Sequence, residues 1–82
     1  MSENPEMVLL SFINDEVAIG PDPVELDTDL LLTGLVDSLG VVRIVHEIEE
    51  VFGIEVPPEA VTIDNFRSVA DMVRWVEARR TA

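Results

Sequence analysis

Few side chains in this chain can do chemistry. Cysteine and lysine are absent, and histidine occurs once, as His46. No thiolate can therefore serve as nucleophile or zinc ligand, and a single histidine in so short a chain supports no Ser-His-Asp order. His46 reads as a partly exposed helix residue. Asp27-Thr28-Asp29 opens like a calcium loop, but Leu31 and Leu32 fall where an oxygen ligand and a glycine are required. Ser38, at the twelfth position of that loop, cannot replace the bidentate glutamate. The four glycines are scattered, so no phosphate-cradling loop forms. Neither a metal site nor intrinsic catalysis is expected. What remains is Leu35-Val36-Asp37-Ser38-Leu39-Gly40, which sets a hydroxyl beside an acid.

The surrounding elements give that hydroxyl its position. Val41, Ile44, Val45, Ile48, Val51 and Phe52 recur at helical spacing, which predicts a helix over Leu39–Phe52 with Gly53 as a left-handed stop and Ile54 as its apolar partner. Asp37 and Ser38 fall at its amino end. Both are favoured helix caps, and loss of such a cap costs about 1 kcal/mol. Equally, helix dipole and free N–H groups suit a hydroxyl there to covalent attachment of a phosphate-containing group.

A first helix is expected from Asn4-Pro5-Glu6, with Leu9, Phe12, Ile13 and Val17 as its apolar stripe, ending at Gly20-Pro21-Asp22-Pro23. Pro21 to Asp37 keeps neither period. Its residues Val24, Leu26, Leu30, Leu31, Leu32, Leu35 and Val36 are too apolar for a solvated loop, so it reads as a long connection pinned to the core, with Gly34 permitting a turn. So long a connection in a small domain points to function. Val56-Pro57-Pro58 is extended, Pro58–Val61 allows one helical turn, and Ile54-Glu55-Val56 alternates like a strand with no partner. The last helix is predicted over Ser68–Arg80, with Ser68 and Asp71 as a capping pair, Val69, Met72, Val73 and Val76 inward, and Arg79 and Arg80 at its negative end. The expected fold is all-α: a small bundle of three main helices plus a short one, with a long first loop, in one domain spanning 1–82.

Composition narrows the partners. Seventeen acids oppose five arginines for a net charge of -12, yet 48% of residues are hydrophobic, too many for a disordered acidic tail. Residues 1–42 hold nine acids and no base. Such a surface repels nucleic acid, and steers the chain toward basic proteins or simply keeps it soluble. No apolar run is long enough for a membrane span. Glu3 and Glu6 stand where a signal peptide would be basic, so a cytoplasmic protein is expected.

Thr33-Gly34-Leu35-Val36-Asp37-Ser38-Leu39-Gly40, followed by the acidic helix ending Glu49-Glu50-Val51-Phe52-Gly53-Ile54, the Pro57-Pro58 segment and the capped last helix, resembles the acyl carrier and peptidyl carrier protein family. The resemblance runs from about Leu30 to Arg80, with a compatible first helix before it. It implies that Ser38 receives 4′-phosphopantetheine from coenzyme A in a magnesium-dependent transfer by a phosphopantetheinyl transferase. The thiol of that arm would hold acyl or aminoacyl groups as thioesters, charged by a loading enzyme and passed to downstream synthase or transferase enzymes. The protein would be a free-standing monomeric carrier, not an enzyme. Carried over by position, Asp37, Leu39, Glu49 and Glu50 meet partner enzymes.

Two residues depart from the fatty-acid form of the pattern. Gly40 stands where those carriers usually have an acid, and Arg43 where they usually have glutamate. Both are expected to lower the negative charge of the partner face and to mark a specialised polyketide, nonribosomal peptide or aminoacyl-transfer pathway, D-alanyl carriers included. The alternatives are a housekeeping fatty-acid carrier and an acidic helical interaction module in which Ser38 only caps.

Overall fold

In the computed structural model, which describes residues 4–81, four α-helices enclose one apolar core. Helix α1 spans Pro5–Phe12, α2 Ser38–Phe52, α3 Ile63–Phe66 and α4 Val69–Thr81. Glu3, one of the amino-terminal acids, lies outside the described residues.

Asn4 starts α1 as its spacing predicts: its side chain accepts from the N–H groups of Glu6 and Met7, and Pro5 fills the first turn. The helix then departs from the expected single stripe. Ile13–Val17 winds as a π-helical segment, closed by Ala18 N–H donating to Ile13 O at 2.7 Å. Asn14 sits inside this wider turn, and its amide grips the loop from both sides. It donates to Leu10 O and Val24 O and accepts from Val24 N–H at 2.6 Å.

The long connection is pinned to the core, as its leucines require. Val24, Leu30 and Val36 are buried. Leu30 N–H donates to Arg67 O at 2.7 Å, Val36 N–H to Leu30 O, Ile19 N–H to Leu35 O and Ala70 N–H to Leu26 O. Asp29 organises the bend, accepting from Leu31 N–H and Leu32 N–H on one oxygen and from Arg67 Nε at 2.8 Å on the other. The Arg67 guanidinium holds the Asp29 carboxyl below its ordinary pKa. Gly34 makes the expected turn at φ 78. Leu32 corrects the expectation: Asp29 turns the chain there and leaves Leu32 66% exposed.

Helix α2 buries Ile44 and Ile48 and ends on Gly53 in the left-handed conformation, φ 66. Residues 54–56 form no strand, since no other extended segment runs beside them among the described residues; Val56 N–H bonds to Glu49 Oε2 at 3.0 Å instead. Pro58–Ala60 makes one 3₁₀ turn, the short helix expected there. The periodicity gave no sign of α3. Thr62 caps it by accepting from Asn65 N–H, Asn65 bonds back to Ala60 O, and Phe66 drops into the core. Ser68 caps α4 with Asp71 as predicted, and Val69, Met72, Val73 and Val76 face inward. At its far end Arg80 stacks over Phe52 and Arg79 over Trp75.

The Asp29–Arg67 pair makes stability pH-dependent. A carboxylate whose folded pKa lies below its unfolded one stabilises the fold above about pH 4 and loses that contribution as pH falls through the folded value. Chemical denaturation of wild type and Asp29→Asn should show a stability gap at pH 6 that closes below about pH 4; a gap independent of pH would contradict this.

Candidate functional site

The start of α2 is fixed by Asp37 rather than by the serine. Asp37 is the N-cap, extended at φ -92, and its Oδ1 accepts from Gly40 N–H at 2.8 Å. Ser38 is therefore the first residue inside the helix. Its cap role, one of the two readings of the sequence, falls away because the cap position is already filled. The Ser38 side chain is exposed, and its hydroxyl has no hydrogen-bond partner among the described residues. The N–H groups of Ser38 and Leu39 are likewise unpaired there, while Val41 N–H returns to Asp37 O. A hydroxyl, two open N–H donors and the positive end of a 15-residue helix thus meet in one place, which favours a negatively charged group.

Gly40 explains how this helix end is held. It is buried, and a Cβ there would lie 2.8 Å from Val17 Cγ1 and 2.9 Å from Val36 Cγ1, well inside the roughly 3.5–4.0 Å at which carbons pack. The expectation that Gly40 removes an acid from the partner face is corrected on this geometry. Position 40 faces the π-helical segment and the loop, so the glycine is a steric requirement and leaves the charge of the exposed face unchanged.

Arg43 reaches across to the π-helical segment while staying about half exposed. Its Nη1 donates to Glu16 O at 2.6 Å and its Nη2 lies 3.3 Å from Glu16 Oε1. The guanidinium ties the π-helical segment to α2 and shares its charge with an acid. The pair is about half exposed and adds at most about 1 kcal/mol. Glu49 spends one oxygen on Val56 N–H, at the edge where α2 meets the extended segment. Glu50 lies on the open face and pairs with His46 at 3.4 Å, both well exposed. Leu39 is 69% exposed, so its alternative role in core packing is excluded. The structure thus gathers Asp37, Ser38 and Leu39 at one end of α2, places Glu50 three turns away, and gives Arg43 and Glu49 intramolecular partners.

Sequence reasoning missed Val42, 62% exposed one turn beyond Ser38, by treating α2 as a core stripe with charged flanks. It also missed Val17 and Glu16, whose partners are set by a π turn that no periodicity announces.

The chain matches the family described as phosphopantetheine attachment site over residues 8–76. It is 33% identical over 78 residues to an acyl carrier protein of Renibacterium salmoninarum, covering 93% of this chain and 94% of that one. The chain belongs to the acyl carrier protein family. An acyl carrier protein of Akkermansia muciniphila is 37% identical over 78 residues, with 94% and 95% covered. A D-alanyl carrier protein of Streptococcus pyogenes is 38% identical over 52 residues, with 63% and 66% covered. As a member of this family the chain is a non-catalytic carrier whose covalent cofactor is 4′-phosphopantetheine. The carrier's own residues supply no thiol; the cofactor does.

The Gly40 notch yields a test in which helix propensity and packing oppose each other. Gly40→Ala gains up to about 1 kcal/mol of helix propensity yet should destabilise the fold by roughly 1–3 kcal/mol through overpacking. In the Gly40→Ala background, Val17→Ala should recover part of that loss. Denaturant midpoints of the four proteins in the double-mutant cycle measure both effects; additive losses would contradict the contact.

Proposed function

We propose that Ser38 is the attachment residue and that the chain, as one carrier domain, presents thioesters to partner enzymes in the cytoplasm. The observation that carries this reading is the unpartnered Ser38 hydroxyl on the first residue of α2, beside two open N–H groups. In the transfer, Ser38 Oγ attacks the pantetheine-bearing phosphorus of coenzyme A and loses its proton to a base of the transferase. The bond to the nucleotide bisphosphate breaks, and a phosphodiester remains on Ser38. A phosphate there gains roughly 0.3–1 kcal/mol from the helix end.

Asp37 and Leu39 flank the arm, and Leu39 offers an apolar anchor that a phosphopantetheinyl transferase, loading enzyme or downstream synthase can bury. Glu50, with His46, extends the face toward the carboxyl end of α2. Acids on this face favour basic partners and faster encounter.

The pathway we assign is a specialised one, acyl- or aminoacyl-transferring, rather than housekeeping fatty-acid synthesis. Supporting it is Arg43, which stands on α2 where the fatty-acid pattern has glutamate. Similarity extends to D-alanyl carriers as well as to acyl carriers. The mass of the thioester isolated with the native protein names the cargo; a long-chain fatty acyl group would overturn the assignment.

Incubation with coenzyme A, magnesium and a broad-specificity phosphopantetheinyl transferase should add one phosphopantetheine mass to the wild type and none to Ser38→Ala. The same variant should unfold within about 0.5 kcal/mol of wild type, because the serine is not the cap, whereas Asp37→Ala should lose about 1 kcal/mol. An equal mass gain in Ser38→Ala would overturn attachment at Ser38, and pathway activity retained by that variant would favour the interaction-module reading.

A further inference from the structure

Charge is spread unevenly along this chain. Residues 74–82 hold three arginines against one acid, whereas the rest holds two arginines against sixteen acids. Three of the arginines are paired within the fold: Arg43 with Glu16, Arg67 with Asp29 and Arg74 with Asp71. Arg79 and Arg80 have no carboxylate partner among the described residues. Each lies instead over a ring, Arg79 at 5.3 Å from the centroid of Trp75 and Arg80 at 5.4 Å from that of Phe52. Glu77, the acid of this segment, is already engaged in the fold.

The chemistry of this patch goes beyond closing a helix. Trp75 and Phe52 are half-buried against the core, and both arginines are exposed. Complementing a negative helix end needs only charge. A guanidinium held over a ring keeps N–H donors for a second partner and has less freedom to lose on binding. Those donors fit a carboxylate bidentately, and the half-buried rings fit an apolar side chain. Tryptophan and arginine are also the residue types that dominate interface energies. The α2 acids next to Phe52 in sequence have other partners, Glu49 with Val56 N–H and Glu50 with His46. At 1.5 Å per residue, Phe52 lies about 21 Å of helix from Ser38. That exceeds two Debye lengths of about 8 Å at physiological salt, so Asp37 at the far end is screened from the patch.

We infer that Trp75, Phe52, Arg79 and Arg80 form a docking surface for an acidic segment of a partner protein that also carries apolar side chains. Its carboxylates take the two guanidiniums, and its apolar groups cover the two rings. One consequence rests on the reading that Ser38 bears the arm: a partner held here leaves that arm free to serve another enzyme.

Trp75 is the chain's one tryptophan, so its fluorescence reports on this patch directly. The probe is a nonapeptide repeating two glutamates and a leucine, titrated into the full chain at physiological salt. It should shift Trp75 emission saturably, while peptides with glutamine or lysine in place of glutamate should not. Combining Arg79→Gln with Arg80→Gln should weaken binding roughly tenfold, with circular dichroism unchanged because both positions are exposed. Arg74→Gln, whose arginine already serves Asp71, should bind as wild type does. No saturable shift, equal binding of the lysine peptide, unchanged binding in the double variant, or an equal loss in Arg74→Gln would overturn the proposal. So would a Trp75 response to phosphatidylglycerol vesicles in place of the peptide. Intact mass separates this surface from the Ser38 reading. Wild type should gain phosphopantetheine with the peptide bound, and a gain blocked by the peptide would overturn the separateness of the two ends. No gain without the peptide would overturn attachment alone.

Discussion

The position of the Ser38 hydroxyl depends on a contact that only glycine allows. Val17, delivered by a π-helical turn, and Val36, at the end of the long loop, both close on the space beside Gly40. A helix, a loop and the first turn of α2 are thereby fixed against one another within a few ångströms of Ser38. The Asp37 cap and the Arg43–Glu16 tie close the same junction from either side. The intrinsic helix cost of a glycine, about 1 kcal/mol relative to alanine, is what permits this approach. The junction is therefore closely packed beside Ser38, whose hydroxyl has no hydrogen-bond partner among the described residues.

This arrangement gives the composition a physical sense. A chain without cysteine performs thiol chemistry through a borrowed group, and on the proposed reading its own task reduces to holding the Ser38 oxygen at a helix end beside an exposed surface. Exposed Leu39 and Val42 supply apolar contact next to that oxygen, and Glu50 supplies charge farther along. Of the amino-terminal acids, Asp29 and Glu16 have structural partners, Arg67 and Arg43, and Asp37 is the cap. These acids act as fasteners within the fold.

Much of the fold was legible because its longer helices carry clean periodicity and caps: Asn4 with Pro5, Gly53, and Ser68 with Asp71 all act as their types predict. The loop's attachment was legible in kind from its leucines. Its exceptions arise from side-chain to backbone bonds, such as Asp29 turning Leu32 outward, which hydrophobicity does not encode. Helix α3 escaped because four residues are too few to show a period; the Thr62–Asn65 cap was its only trace. At the site, Asp37, Ser38 and Leu39 were readable as a motif. The roles of Gly40 and Arg43 were not, because charge reasoning leaves out the neighbours each residue meets on other elements. Their real partners, Val17 and Glu16, come from a register shift visible only in three dimensions.

The central claim is that one serine of four, set apart by its place at a locked helix end, carries the cofactor. Fragment-ion mapping of the native protein after phosphopantetheinylation tests it most directly. The account predicts a single arm, located between Asp37 and Leu39. An arm on Ser2, Ser11 or Ser68 would contradict it.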